Sequence, residues 1–179
     1  MDPLIYLTPK QTKRLIIRPL TWDDAEPWKA FTQDSNCTKF FPEFMTNDAN
    51  LHETWIQWQL ARYEQGRFGL MALVDKESNQ LVGQCGLLHQ IVNDTDELEI
   101  GYHVLSSSHG KGFATEAAQF FKKLGFAFTE APRIVSLIHP DNLASQAVAT
   151  RNGMVQAESA IHRDESSIVF EIKRENYVE

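Results

Sequence analysis

The sequence predicts a mixed α/β (α+β) fold built on one sheet of about seven strands with helices packed on it. Three observations lead there. Seven short runs have the composition and alternation of strands, and four longer stretches repeat apolar residues every three or four positions. The two kinds interleave in the order β-α-α-β-β-β-α-β-α-β-β, which implies a mixed sheet.

The elements follow in order along the chain. RLIIRPL (14–20) reads as a strand with Leu15 and Ile17 on one face and Ile16 on the other. Thr21 is placed to cap the helix of TWDDAEPWKAFT, whose first turn is acidic. NDANLHETWIQWQLARYEQG reads as a second helix with Leu51, Trp55, Trp58 and Arg62 along one side. Two β-runs, FGLMALVD and QLVGQCGLLHQIV, are joined by the polar turn KESN, and DELEIGYHVL is the third of that series. SSSHGKGFATEAAQFFKKLGF (106–126) then sets two glycines and a lysine just ahead of a helix. Phe113, Ala117, Phe120, Phe121, Leu124 and Phe128 give that helix one apolar face. Gly125 costs it about 1 kcal/mol relative to alanine, and Pro132 lies past its end. RIVSLIH is a strand, NLASQAVATRNG a helix ending at Gly153, and VQAESAIHR and SSIVFEIKR are the closing strands.

A chain of 179 residues is long enough for a proper core and is expected to form one domain over residues 1–179. With no run of about 18 apolar residues, no membrane span and no membrane partner are expected. The N-terminus lacks the basic-then-apolar pattern of a secretory signal. Cys37 and Cys85, few and far apart, read as reduced residues of a cytoplasmic protein. A net charge of −7 argues against a general nucleic-acid binder.

Several chemistries drop out on motif grounds. His52, His89, His103, His109, His139 and His162 are scattered, without HExxH or CxxC, so no metal site is expected. There is no G-x-S-x-G elbow. HGKGFA is neither a dinucleotide fingerprint nor a nucleotide-triphosphate loop. What it does offer is bare backbone at a helix N-terminus, which attracts anions and points to a phosphate-bearing ligand. In the strand before it, Leu98, Ile100, Tyr102 and Val104 share one face and Glu97, Glu99, Gly101 and His103 the other. Solvated charge suits Glu97. Glu99, expected inside the sheet, would have a raised pKa and could accept a proton near neutral pH.

LEIGYHVLSSSHGKGFATEAAQFF resembles the acyl-CoA-binding core of the GNAT superfamily of N-acetyltransferases. TKRLIIRPLTWDDAEPW before it and IHPDNLASQAVATRNGM behind it resemble the matching parts of the ribosomal-protein alanine/serine N-terminal acetyltransferase branch. The resemblance runs from about Arg14 to about Lys173 with the segments in the same order. It implies a mostly antiparallel central sheet with helices on both faces, and acetyl-CoA as co-substrate without a metal. The family signature falls on His109, Gly110, Lys111, Gly112, Phe113 and Ala114, with Thr115 following, and implies amides that cradle the pyrophosphate of coenzyme A. The strand end Val104, Leu105 and Ser106 would pair with the pantetheine arm, and an amide near Val104 and Leu105 would polarise the thioester carbonyl. Asn142 and Ser145 match the family's Asn-x-x-Ser beside the sulfur, where Asn142 could equally be an ordinary helix cap.

The implied roles are Glu99 as base toward the amine and Ser145 as partner of the leaving thiolate. The sequence departs from the pattern at His109 (usually arginine or glutamine), at Ser106 (usually proline) and at Arg151-Asn152-Gly153-Met154 (usually Lys-Leu-Gly-Phe). The tyrosine acid of other branches has no counterpart on the last helix. The expected reaction moves an acetyl group to a primary amine, at a protein N-terminus or on a small molecule such as a polyamine, antibiotic or amino acid. A non-catalytic acyl-CoA-binding domain is the other reading. The acceptor pocket is expected from Trp28, Phe31, Phe40, Phe41, Phe44 and Trp55, and the chain is expected to be a monomer or homodimer.

Overall fold

In a computed structural model that describes residues 3–162 and 165–177, the β-runs become β2 (Leu15–Arg18), β3 (Leu70–Asp75), β4 (Leu81–Val92), β5 (Thr95–Val104), β6 (Arg133–Ile138), β7 (Val155–His162) and β8 (Glu165–Lys173). An eighth strand, β1 (Lys10–Gln11), extends the sheet beyond the expected seven. Two residues are too few to show alternation; β1 exists because the chain doubles back on β2, with Lys10 opposite Ile17. The strands form one sheet in the order β1-β2-β3-β4-β5-β6-β8-β7. Every neighbouring pair is antiparallel except β5 with β6, which run parallel.

The helices are α1 (Pro3–Leu7), α2 (Ala25–Thr32), α3 (Ser35–Thr38), α4 (Glu43–Thr46), α5 (Leu51–Glu64), α6 (Phe113–Phe128) and α7 (Leu143–Arg151). Thr21 starts not α2 itself but a 3-10 turn, Trp22–Asp24, that leads into it. α1, α3 and α4 span only about a turn each, too little for a 3.6-residue repeat to register, and they are absent from the sequence expectation.

Both faces of the sheet are covered, as the alternation within the strands requires. Met71, Leu73, Leu87, Leu98 and Ile100 pack under α6 with Phe113, Phe121 and Leu124. Their immediate neighbours Leu70 and Leu88 point the other way, into Trp28, Phe31 and Trp55 of α2 and α5. In α6, Phe128 is exposed, and Ala118 and Phe126 complete the buried face. Gly125, which weakens the helix locally, lets it approach the sheet: a Cβ there would lie 2.8 Å from Ile134 Cδ1. In α5 the buried stripe is Leu51, His52, Trp55, Ile56 and Gln59, with Trp58 left at the rim.

Glu97, expected in water, is buried. The parallel pairing of β5 with β6 sets it beside Arg133, whose guanidinium lies 2.6 Å from Glu97, 2.7 Å from Glu171 and 2.9 Å from Glu158. The Glu97 carboxylate, with Glu171 and Glu158 behind it, outweighs burial, which pulls the other way, and leaves the Arg133 pKa raised.

Candidate active site

The parallel pair is short. Its register covers only Leu98 with Ile134 and Glu99 with Val135, after which β5 and β6 part. Ser136 marks the fork, donating its hydroxyl to the Ile100 carbonyl at 2.8 Å. Beyond it, β5 keeps β4 on one side and has an open edge on the other. The Leu105 amide donates to the Val82 carbonyl at 2.9 Å, so the facing pair Gly83–Val104 is of the widely spaced kind. By the antiparallel alternation, the amides of Val104 and Tyr102 point away from β4, into the fork. Leu105 is therefore corrected as a carbonyl-polarising donor: its amide serves β4, and its carbonyl accepts from Ser108. Of the two, Val104 alone has its amide turned into the fork.

Past β5 a 3-10 turn, Ser106–Ser108, leads into the glycine loop. Gly110 and Gly112 have φ of +73° and +82°, the left-handed region that other residues enter at a cost. Gly112 is the N-cap of α6 and supplies no side chain to cap the first turn, so the amides of Phe113, Ala114 and Thr115 face outward without a side-chain partner. His109, whose place in the family signature implies a weakened phosphate contact, stays exposed, with its Nε2 2.9 Å from the Val104 carbonyl. Lys111 is exposed, and its carbonyl accepts from Arg14 Nη1 at 2.6 Å.

Arg14 escaped the sequence search. Its Nε donates to Glu116 at 2.7 Å and its backbone amide at 2.8 Å, while the Thr12 hydroxyl adds a third bond to the same carboxylate at 2.6 Å. The guanidinium also lies 4.8 Å from the Phe113 ring centre. Thr12, Arg14 and Glu116 thus fasten the start of β2 to the first turn of α6. No local pattern could have paired residues 102 apart.

Glu99 lies at the fork, 8% exposed, and accepts from Gln90 Nε2 at 2.8 Å. It lines a cavity of about 610 Å³ that runs between the arms of the fork and under α5, a size suited to a small ligand. His103, on the same face of β5, enters this cavity among the rings of Phe31, Phe41 and Trp55, at centroid distances of 5.7, 5.7 and 5.0 Å. Strand alternation already placed it beside Glu99. Of the expected pocket aromatics, Phe31, Phe40, Phe41 and Trp55 line the cavity. Trp28 is fully buried behind Phe31, and Phe44 sits outside in a neighbouring groove with Trp58.

Across the fork, Asn142 caps α7, its side chain accepting from the Ser145 amide at 3.1 Å. The same Ser145 offers its carbonyl to the Tyr102 hydroxyl at 2.8 Å. Both Asn142 and Ser145 line the cavity. Burial pushes the Tyr102 pKa well up, so this phenol stays a donor. Glu99, Val104, Asn142 and Ser145 thus converge on one cleft, with the glycine loop following directly from its β5 arm. Among the described residues no cluster of three His, Cys, Asp or Glu could hold a metal ion, and no helix is long and apolar enough to cross a membrane.

Comparison with known proteins identifies the family and the fold. A family model described as an acetyltransferase (GNAT) domain matches residues 14–155. An uncharacterized N-acetyltransferase, p20, of Bacillus licheniformis is 28% identical over 134 residues, covering 75% of each chain. The crystal structure of a GNAT-family acetyltransferase from Bacillus anthracis superposes with a TM-score of 0.75 at 26% identity, over 94% of this chain and 99% of that one. RimJ of Mycobacterium smegmatis, solved in complex with CoA-disulfide, shares the fold, with a TM-score of 0.73 at 20% identity over 92% of this chain and 84% of its own.

Proposed function

Because this chain belongs to the GNAT family of acetyltransferases and is an enzyme of that family, we propose that it moves an acetyl group from acetyl-CoA to a primary amine by direct attack. The observation that carries this reading is the fork itself: a buried carboxylate, an open strand edge and an uncapped helix N-terminus, in that order along the chain. The outward amides of Phe113 to Thr115 and the dipole of α6 suit a diphosphate, and the open β5 edge suits the amide-bearing pantetheine arm. RimJ, of the same fold, holds a coenzyme A derivative.

A protonated α-amine (pKa about 8) or lysine amine (about 10.4) has no lone pair to attack with. Glu99 takes that proton, directly or through a water. The nitrogen lone pair then forms the C–N bond to the thioester carbonyl carbon, with the oxygen's developing charge at the Val104 amide, and the second proton of the nitrogen passes to solvent as the amide forms. The C–S bond breaks with its electron pair on sulfur, where the Ser145 hydroxyl donates a hydrogen bond until solvent protonates the thiolate. The amine enters from the aromatic side, past Phe31, Phe41 and Trp55. It belongs to a protein N-terminus or a small molecule, in a cytoplasmic setting.

Thiol release from acetyl-CoA, measured over peptides with free α-amines, a lysine peptide, a diamine and 2-phenylethylamine, identifies the acceptor class. Glu99→Gln keeps the shape and should lower kcat about 10²-fold at neutral pH. The deficit should shrink as pH rises toward the acceptor's own pKa, where no base is needed. A loss independent of pH would make Glu99 a binding group only, and no loss would remove it from the mechanism.

A further inference from the structure

We propose that Tyr102 is a positioning residue for the reaction, holding the Ser145 hydroxyl in register with the β5 arm of the fork. The inference rests on the role given to Ser145 above and extends it to Tyr102, whose hydroxyl is engaged by the Ser145 carbonyl.

The fork creates a mechanical problem. Once β5 and β6 separate after Glu99 and Val135, no strand pairing fixes the distance between the two arms. Yet the groups that must act on the same thioester stand on opposite arms: Val104 on β5, and Ser145 on the helix that follows β6. The carbonyl oxygen and the sulfur are both bonded to one carbon, so their partners must keep a fixed spacing to within a fraction of an ångström. Something has to tie the arms together again.

Ser145 is tied at both ends of its own peptide groups. Asn142, on the same helix, accepts from its amide at 3.1 Å, which sets the first turn locally. Tyr102, two residues before Val104, reaches across the fork to donate to its carbonyl at 2.8 Å. Of these two bonds it is the tyrosine's that spans the arms, further along the fork than the Ser136–Ile100 bond where they part. The rest of the Tyr102 side chain packs on the core cluster beneath α6, so the ring is anchored before the hydroxyl is used. Its raised pKa keeps the proton on oxygen throughout the range in which an amine reacts. Phenylalanine would fill the same space and lose only the hydroxyl, with its tie to Ser145 and its contact with Ser136.

The test is a double-mutant cycle on acetyl-CoA turnover with the most reactive amine of the panel above. Tyr102→Phe should lower kcat about tenfold, the usual worth of one well-made hydrogen bond, with KM for acetyl-CoA changed less than twofold. In a Ser145→Ala background the same change should alter kcat less than twofold, because there is no hydroxyl left to position. Thermal unfolding checks that each variant is folded, and Tyr102→Met, which also keeps apolar packing, carries the same cycle should Tyr102→Phe unfold. Equal losses in both backgrounds would mean that Tyr102 acts independently of Ser145 and would overturn the inference. So would full activity of Tyr102→Phe. If Ser145→Ala is itself as active as wild type, the leaving-group role fails and this inference falls with it, leaving the acetyltransferase reading untouched.

Discussion

Glu116→Gln is the perturbation whose size the structure sets most directly. The carboxylate takes three hydrogen bonds: two at Oε1, from the Thr12 hydroxyl and the Arg14 amide, and one at Oε2, from Arg14 Nε. A glutamine oxygen can keep the first two. Its NH₂ group would then face the Arg14 N–H, donor against donor. One charge-assisted bond is lost, worth about 1.5–3 kcal/mol when shielded. Glu116 is 16% exposed but Arg14 is 41% exposed, so solvent screening favours the lower end, about 1.5 kcal/mol. For a chain of this size that lowers Tm by about 3–6 °C.

The pH dependence gives a second, independent reading of the same bond. Burial alone would raise the Glu116 pKa, but the Thr12 and Arg14 hydrogen bonds outweigh it and hold it below the ordinary 4.5. A carboxyl depressed by folding adds stability above its unfolded pKa and loses that stability as pH falls through the folded value. The gap between wild type and Glu116→Gln should therefore be full at pH 7 and should close below about pH 4. Thermal unfolding followed by circular dichroism from pH 7 to pH 3 measures it. Equal midpoints at pH 7, or a gap that persists unchanged at pH 3, would refute the assignment. Because Arg14 also holds the Lys111 carbonyl, coenzyme A should bind the variant several-fold more weakly.

Two further changes separate the phosphate loop from the core beneath it. Coenzyme A at millimolar concentration should raise the Tm of the wild-type protein; Gly112→Val, which forces a branched side chain to φ +82° with its Cβ 3.3 Å from Arg14 Nη2, should abolish that rise, as titration calorimetry would check. Gly125→Ala should be nearly neutral in urea unfolding, since about 1 kcal/mol of helix propensity offsets a 2.8 Å contact with the movable tip of Ile134, whereas Gly125→Val should cost about 1–3 kcal/mol by overpacking.

How far the sequence could reach is best judged residue by residue. The alternation of DELEIGYHVL put Glu99 and His103 on one face and Tyr102 on the other; Tyr102 does pack on the core beneath α6 and His103 against Trp55, though all three line the cleft at the open β5 edge. The glycines ahead of α6 announced an open helix start because their conformational need is local. Glu97 was misplaced because its partner, Arg133, comes from β6 and is shared with acids of β7 and β8, which no pattern within β5 can reveal. Thr12, Arg14 and Glu116 were silent for the same reason.

Leu105 teaches a different lesson. Side-chain direction alternates along a strand and is legible from residue types, but amide direction also alternates, and its phase depends on which neighbour the strand pairs with. The single bond from the Leu105 amide to the Val82 carbonyl fixes that phase. Shift the β4–β5 register by one residue and Leu105 would face the fork while Val104 served β4; Glu99 would also leave the cavity for the α6 side. The carboxylate and the amide assigned to the reaction are thus set by the same register. Gly83, opposite Val104, helps to hold it: a Cβ there would lie 2.5 Å from the His103 carbonyl. A glycine that carries no chemistry of its own therefore keeps the two chemical groups on the same cleft.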